Sequence, residues 1–327
     1  MIHRIRARLN ARHTRKLIHN LVPTIAEQVV NYPAVENYIL KRRYQALIAR
    51  YATTLPTLSA ADSLILKNIQ TAGIHVTSLE ALAIPGMAQF CDEGHQLFHT
   101  LIQQPLKRKR RFQMTPDFPL LLKHRYIFQW GLCDRLLAIA TNYIQAPVAY
   151  DTCLCNLSIN NGLETATRRW HLDNEDRKVL KVLIYFNDVD SEGGPFNYLP
   201  LDVTQQVLKV TKDRYKFLLT PELEALLPPS TLEPMVACTG SVGTVIFVDT
   251  AKLYHRGKPP TAKPRRAITF GYCSRRPRQP FRCGRNLLTE TQLSQLEIGL
   301  SNEQKACVRW EKTLPKWIRK IPKYAYG

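Results

Sequence analysis

The sequence predicts an α+β protein, with helices in its first half and a β-sandwich or barrel core after residue 148. Two observations predict this. Apolar residues recur at three- and four-residue steps in several blocks up to residue 144, the spacing of helices with one buried face. From Val148 onward the pattern changes: Val148–Ile159, Val179–Phe186, Thr244–Val248 and Ala267–Cys273 are short and rich in β-branched or aromatic residues, with Gly193-Gly194-Pro195 and Gly240 to Gly243 marking turns. Helices first and strands later are the order of an α+β architecture. The 45% of hydrophobic residues is enough for a sizeable core.

Along the chain, Ile2, Ile5, Leu9, Leu17, Leu21 and Ile25 recur at helical steps with arginines between them, and Pro23 and Pro33 divide the region into shorter helices. The first twenty residues contain no acid. A basic amphipathic helix of this kind lies on a membrane, serves as a targeting segment, or packs with its basic face in water. Packing or surface attachment is favoured, because the helical pattern runs on to Arg50. Ser59 reads as an N-cap with Asp62 in the capping-box position, and the helix from Ala60 to about Ala72 should stop at Gly73. Ile74–Thr77 reads as a strand, Pro85 opens a helix ending near Leu101, and residues 132–144 form another. The basic run Lys107–Arg111 reads as a solvated loop, since no groove-reading motif surrounds it. Near the end, a helix is expected over Thr289–Leu300. Lys316-Trp317-Ile318-Arg319-Lys320 suits an interface or a lipid headgroup region. The expected organisation is a basic helical extension over residues 1–58, a main domain over 59–280 with its β core at about 148–273, and a basic extension over 281–327 that packs on the core.

The net charge of +20 is unevenly spread. Residues 151–270 carry 15 Lys and Arg against 14 Asp and Glu; the flanks carry 31 against 12. Basic surfaces outside a neutral centre attract an anionic partner. No apolar run reaches the length of a membrane span, and arginines interrupt the N-terminus where a signal peptide would be apolar. Eight cysteines without a CxxC pair read as reduced thiols, which points to the cytoplasm, with membrane contact limited to the periphery.

The segment Arg169-Trp170-His171-Leu172-Asp173 carries the chemistry. On an extended backbone, residues two apart share a face, so His171 and Asp173 can present an imidazole and a carboxylate to one cation. A second imidazole is available at His255, in Leu253-Tyr254-His255-Arg256-Gly257, after the strand-like Gly243–Asp249. Two imidazoles and one carboxylate on one face of iron leave three positions open, two for a keto-acid chelate and one for O₂. An arginine on the following strand can clamp a distal carboxylate by paired hydrogen bonds. Two adjacent arginines stand there, Arg266 and, on the opposite face, its alternative Arg265.

These residues resemble a known family. Trp170-His171-Leu172-Asp173, then Lys181-Val182-Leu183-Ile184-Tyr185-Phe186-Asn187-Asp188-Val189, then Gly193-Gly194-Pro195-Phe196-Asn197-Tyr198-Leu199-Pro200, look like the phytanoyl-CoA dioxygenase-like branch of the iron(II)/2-oxoglutarate oxygenases. The resemblance covers roughly residues 148–273. It implies a double-stranded β-helix, a jelly roll, with helices packed outside. It also implies His171, Asp173 and His255 as ligands of Fe(II), Arg266 as the 2-oxoglutarate anchor, and O₂ as co-substrate. Lys181 and Tyr185 are further candidates for cofactor contact, with Asn197 and Thr269 as supporting donors. The carboxylate of Asp173 favours hydroxylation over halogenation, because halogenating relatives carry a small residue there. This sequence departs from the family at Pro200-Leu201-Asp202-Val203, where Pro-Gly-Ser-His is usual, and the resemblance does not extend over residues 204–236.

The expected substrate is a small molecule or acyl group, anionic in view of the basic flanks: an acyl-CoA, a lipid or another anionic metabolite. Nucleic acid is disfavoured, since Tyr272 stands where nucleic-acid demethylases of this class carry a second arginine. Two other readings compete. One is a non-catalytic jelly roll that holds an anionic membrane or polyanion by its basic flanks. The other is a cupin-like enzyme that uses the metal without 2-oxoglutarate.

Overall fold

The structure is a computed structural model and describes residues 19–105, 111–211, 216–284 and 288–323. The first eighteen residues, most of the basic run at 107–111 and the last four residues lie outside the described residues, and with them part of the expected N-terminal helix.

Among the described residues, nine strands form two antiparallel sheets. The larger has the order β1 (Ile74–Ser78), β7 (Thr244–Asp249), β4 (Leu180–Tyr185), β9 (Arg265–Ser274), β3 (Val148–Ser158) and β2 (Gln113–Met114). The smaller has β6 (Val236–Cys238), β5 (Phe196–Tyr198) and β8 (His255–Gly257), extended at its β8 edge by the bridge between His171 and His255. Counting the segment around His171 as a strand, the chain from β3 to β9 makes eight strands. The first pairs with the eighth (β3 with β9), the second with the seventh (His171 with β8), the third with the sixth (β4 with β7) and the fourth with the fifth (β5 with β6). That nested antiparallel pairing is a jelly roll, as the family resemblance implies.

Alternation along the strands decides what faces what. Leu180, Val182 and Ile184 of β4, Val245 and Phe247 of β7, and Ile268, Phe270 and Tyr272 of β9 pack in one cluster with the helices Ala60–Ala72, Met87–Gln103 and Asp134–Ile144. Their neighbours Tyr185, Ile246, Val248 and Ala267 turn the other way, onto Phe196 and Cys238 of the smaller sheet. β7 is thus apolar on both faces, and this is why it reads as an unbroken apolar run.

The local signals act where expected. The Ser59 hydroxyl accepts from the Asp62 backbone N–H (3.1 Å), and Gly73 ends that helix with φ +83°. Residues 204–236, where the resemblance gives no guide, are largely helical, with helices at Leu201–Thr211, Thr220–Leu226 and Pro229–Leu232. They build a satellite core in which Val203, Val207, Leu218, Leu223 and Leu227 surround Trp170, Leu172, Leu199 and Tyr254.

Gly94 lies mid-helix against the outer face of the larger sheet, and a Cβ there would sit 2.1 Å from Phe186 Cε1. Alanine improves helix propensity by about 0.5–1 kcal/mol. Overpacking a dense core costs about 1–3 kcal/mol, so the overlap wins. Gly94→Ala is expected to lower stability by about 1–2 kcal/mol, read as a lower urea midpoint at unchanged slope.

Candidate metal centre

His171, Asp173 and His255 come together between the sheets. One ligand atom from each lies within 4.8 Å of the others, and all three residues are buried. Paired backbone hydrogen bonds hold the two histidines opposite each other: His171 N–H to His255 O (3.0 Å) and His255 N–H to His171 O (2.9 Å). The Asp173 N–H donates to Thr250 O at 2.9 Å, which anchors the third residue to the loop after β7.

The histidines share one tautomeric arrangement. His171 Nδ1 is 2.8 Å from Arg169 O, and His255 Nδ1 is 2.9 Å from Leu253 O. A carbonyl oxygen only accepts, so both Nδ1 atoms carry hydrogen. Both Nε2 atoms then face the Asp173 carboxylate, at 3.7 Å for His171 and 3.9 Å for His255. These separations exceed hydrogen-bond length. Burial, and then the nearby His171, hold His255 well below the ordinary histidine range, so its Nε2 is a lone pair. A lone pair aimed at an anionic oxygen is repulsive unless a cation lies between them. The arrangement is that of a metal ligand whose other ring nitrogen is fixed by a backbone carbonyl.

Aromatic rings flank both imidazoles. Phe217, from the helical insertion, stacks on His171 with centroids 4.7 Å apart and planes 9° from parallel, while 44% of its own surface stays exposed. Phe196 stacks on His255 at 5.4 Å. The Trp170–Leu218 bridge, with N···O distances of 2.8 and 2.9 Å, brings the insertion to this point. Nothing in the sequence marked Phe217, because it lies in a segment without a recognisable pattern.

The remaining candidates separate by strand parity. Lys181 lies on the inner face of β4 and forms an ion pair with Asp173 Oδ2. Thr269 lies opposite Leu183 on that face and is buried. Tyr185 also points inward, but its hydroxyl donates to Cys238 O (2.8 Å) and accepts from Phe196 N–H (3.0 Å), so it ties the two sheets together. Asn197 pairs with Arg256 on the outer face of the smaller sheet, away from the histidines.

The two arginines stand on opposite faces of β9. Arg266 pairs with Leu157, a member of the helix-facing cluster, and its backbone N–H donates to Asn187 Oδ1 at 2.7 Å. It therefore lies on the helix-facing side of β9. Arg265 shares the inner face with Ala267 and Thr269 and is buried. One Nη of Arg265 donates to Gly194 O; its guanidinium lies against Gly257, where a Cβ would come within 2.8 Å of the other Nη. Gly257 is one same-face step along β8 from His255. The Nε of Arg265, like that of Arg266, is buried with no hydrogen-bond partner among the described residues.

Asp151, Cys273 and Cys283 make a second convergent group. Burial holds the Cys283 thiol well above its ordinary range, which disfavours the thiolate a metal requires. The eight cysteines are free.

No protein-family model and no curated protein sequence matches the chain. Solved structures with a similar fold are distant. The α-ketoglutarate-dependent epimerase SnoN from nogalamycin biosynthesis is 15% identical, with a TM-score of 0.43, over 66% of this chain and 83% of that one. HygX from Streptomyces hygroscopicus, solved with nickel and 2-oxoglutarate bound, is 18% identical, with a TM-score of 0.42, over 67% and 88%. EctD from S. alaskensis is 15% identical, with a TM-score of 0.46, over 67% and 78%.

Proposed function

We propose that this chain is an iron(II)- and 2-oxoglutarate-dependent oxygenase that hydroxylates an unactivated carbon of an organic substrate. One observation carries the reading: two buried imidazoles give their Nδ1 hydrogens to backbone carbonyls and turn Nε2 toward one buried carboxylate. Two nitrogens and a carboxylate oxygen fit iron(II) and leave half its coordination sphere for other ligands. Iron(II), with 2-oxoglutarate and O₂, supplies an oxidant able to take hydrogen from an unactivated carbon.

The protein's part is to bind, orient and exclude water. His171, Asp173 and His255 hold the metal. Lys181 restrains Asp173 Oδ2, the oxygen nearer His255, while Oδ1 lies toward His171, and it adds a fixed positive charge to the cavity wall. Arg265, with its unpartnered Nε, receives the distal carboxylate of the keto acid. Phe217 and Phe196 keep water from the imidazoles on either side.

An anionic substrate suits the lining. By strand alternation Arg169 stands one same-face step before His171, and its buried Nε has no hydrogen-bond partner among the described residues. The test is iron content together with substrate-dependent succinate formation. The expected result is about one iron per chain and succinate only when iron(II), 2-oxoglutarate and O₂ are all supplied. Tight iron binding without 2-oxoglutarate turnover for any member of an acyl-CoA, lipid and small-metabolite library would favour a metal-binding jelly roll of another kind.

A further inference from the structure

We infer that the N-terminal helix is a docking surface for an anionic lipid bilayer. Residues 19–31 form a helix whose two faces differ in chemistry. On one face Leu21, Val22, Ile25 and Val29 are 48–56% exposed, and at 100° per residue they fall within an arc of about 100°. Tyr32 (62%) and, in the next helical stretch, Tyr38 and Ile39 continue the exposed apolar surface. The opposite face of the first helix carries Glu27 and Asn31. Glu27 accepts from Arg282 and from Asn174 Nδ2 (3.3 Å), and Asn31 Oδ1 accepts from Arg278 at 2.7 Å. The helix is therefore fixed on the core by its polar side and holds its apolar side outward, the reverse of an ordinary surface helix.

Charge selects the occupant. Glu27 and Glu36 are the only acids in residues 1–61, and both are turned onto basic residues of the core: Glu27 onto Arg282, Glu36 onto Arg177 and Arg278. The cations of the same region, Lys41, Arg42, Arg43 and Arg50, are exposed. Residues 1–18 add six Lys and Arg and no acid.

A second element joins this surface. His19 Nε2 lies 3.0 Å from Lys323 O, which brings the start of the helix to the C-terminal region. There Trp317 is 68% exposed between exposed Lys316, Arg319 and Lys320. An exposed apolar stripe, an exposed tryptophan, surrounding cations and inward acids match the headgroup boundary of an anionic bilayer. A second copy of the chain would meet a surface of the same positive charge, and like charges in contact oppose association.

The test uses the full chain and sedimentation with two vesicle compositions, phosphatidylcholine alone and phosphatidylcholine with 30% phosphatidylserine. Sedimentation with the mixed vesicles alone is expected, weakening as salt rises, and the double variant I25E/V29E and the variant W317A are each expected to lower the partition at least threefold. Both act at exposed side chains, so the melting temperature should hold. Equal binding of parent and variants, or binding to neither vesicle, overturns the proposal. So does a concentration-dependent dimer that I25E/V29E dissociates without any vesicle binding. The inference is independent of the metal chemistry, since iron content is measured on the same samples.

Discussion

Arg265→Leu is expected to raise the KM for 2-oxoglutarate by roughly two orders of magnitude, while Arg266→Leu leaves it within about threefold. Charge-assisted hydrogen bonds are worth about 1.5–3 kcal/mol each, and a paired contact loses about 3 kcal/mol or more when its arginine is removed, roughly a hundredfold in affinity. Arg265 is buried on the inner face of β9 beside β8, whereas Arg266 lies on the helix-facing side. Because Arg265 also donates to Gly194 O, its loss leaves that carbonyl short of a donor and should cost some stability. The discriminating readout is therefore the KM for 2-oxoglutarate at a temperature where every variant is folded. Arg265→Lys keeps the charge but not the planar fork, and is expected to fall between the leucine variant and the parent. A large KM effect at Arg266 alone would reverse the assignment.

Asp173→Ala is expected to reduce both iron content and succinate formation below detection. The carboxylate is the only anionic member of the group, and removing it leaves two imidazoles that cannot offset a divalent charge. It also leaves the half-buried Lys181 beside the site without its ion pair, so the remaining cavity repels a cation. His171→Ala should lose iron by a different route, through a missing nitrogen donor with the charge balance intact. Metal analysis after dialysis against iron(II), followed by a succinate assay, checks both. An Asp173→Ala variant that holds iron at parental levels would rule out the proposed ligand set.

The parts of this architecture that could be read from the sequence are those that leave a long local pattern. β3, β4, β7 and β9 span six to eleven residues each and carry the β-branched and aromatic content that marks strands. The smaller sheet has strands of three residues, too short for any period to register, so only the turns around it could be seen. His171 and Asp173 were legible as a pair because a two-residue step on extended chain fixes a shared face. The arginine was not. Two adjacent arginines start β9, and counting from His255 cannot tell them apart, because the conformation of the connecting loop sets which one turns inward. The pairing of Arg265 with Ser158 and of Arg266 with Leu157 shows which one turns inward. Phe217 was hidden for another reason: its place beside His171 follows from the Trp170–Leu218 bridge, a contact across 48 positions of sequence.

The contact between Glu27 and Asn174 has a practical consequence. Asn174 directly follows Asp173, and Glu27 also pairs with Arg282, so the helix braces the loop that carries a proposed metal ligand. Trimming the chain back to its jelly roll would remove that brace and leave the largely buried guanidinium of Arg282 without its carboxylate, a change that costs more than the loss of a surface contact. A shortened protein that lost its metal would then report on a missing buttress rather than on a missing ligand.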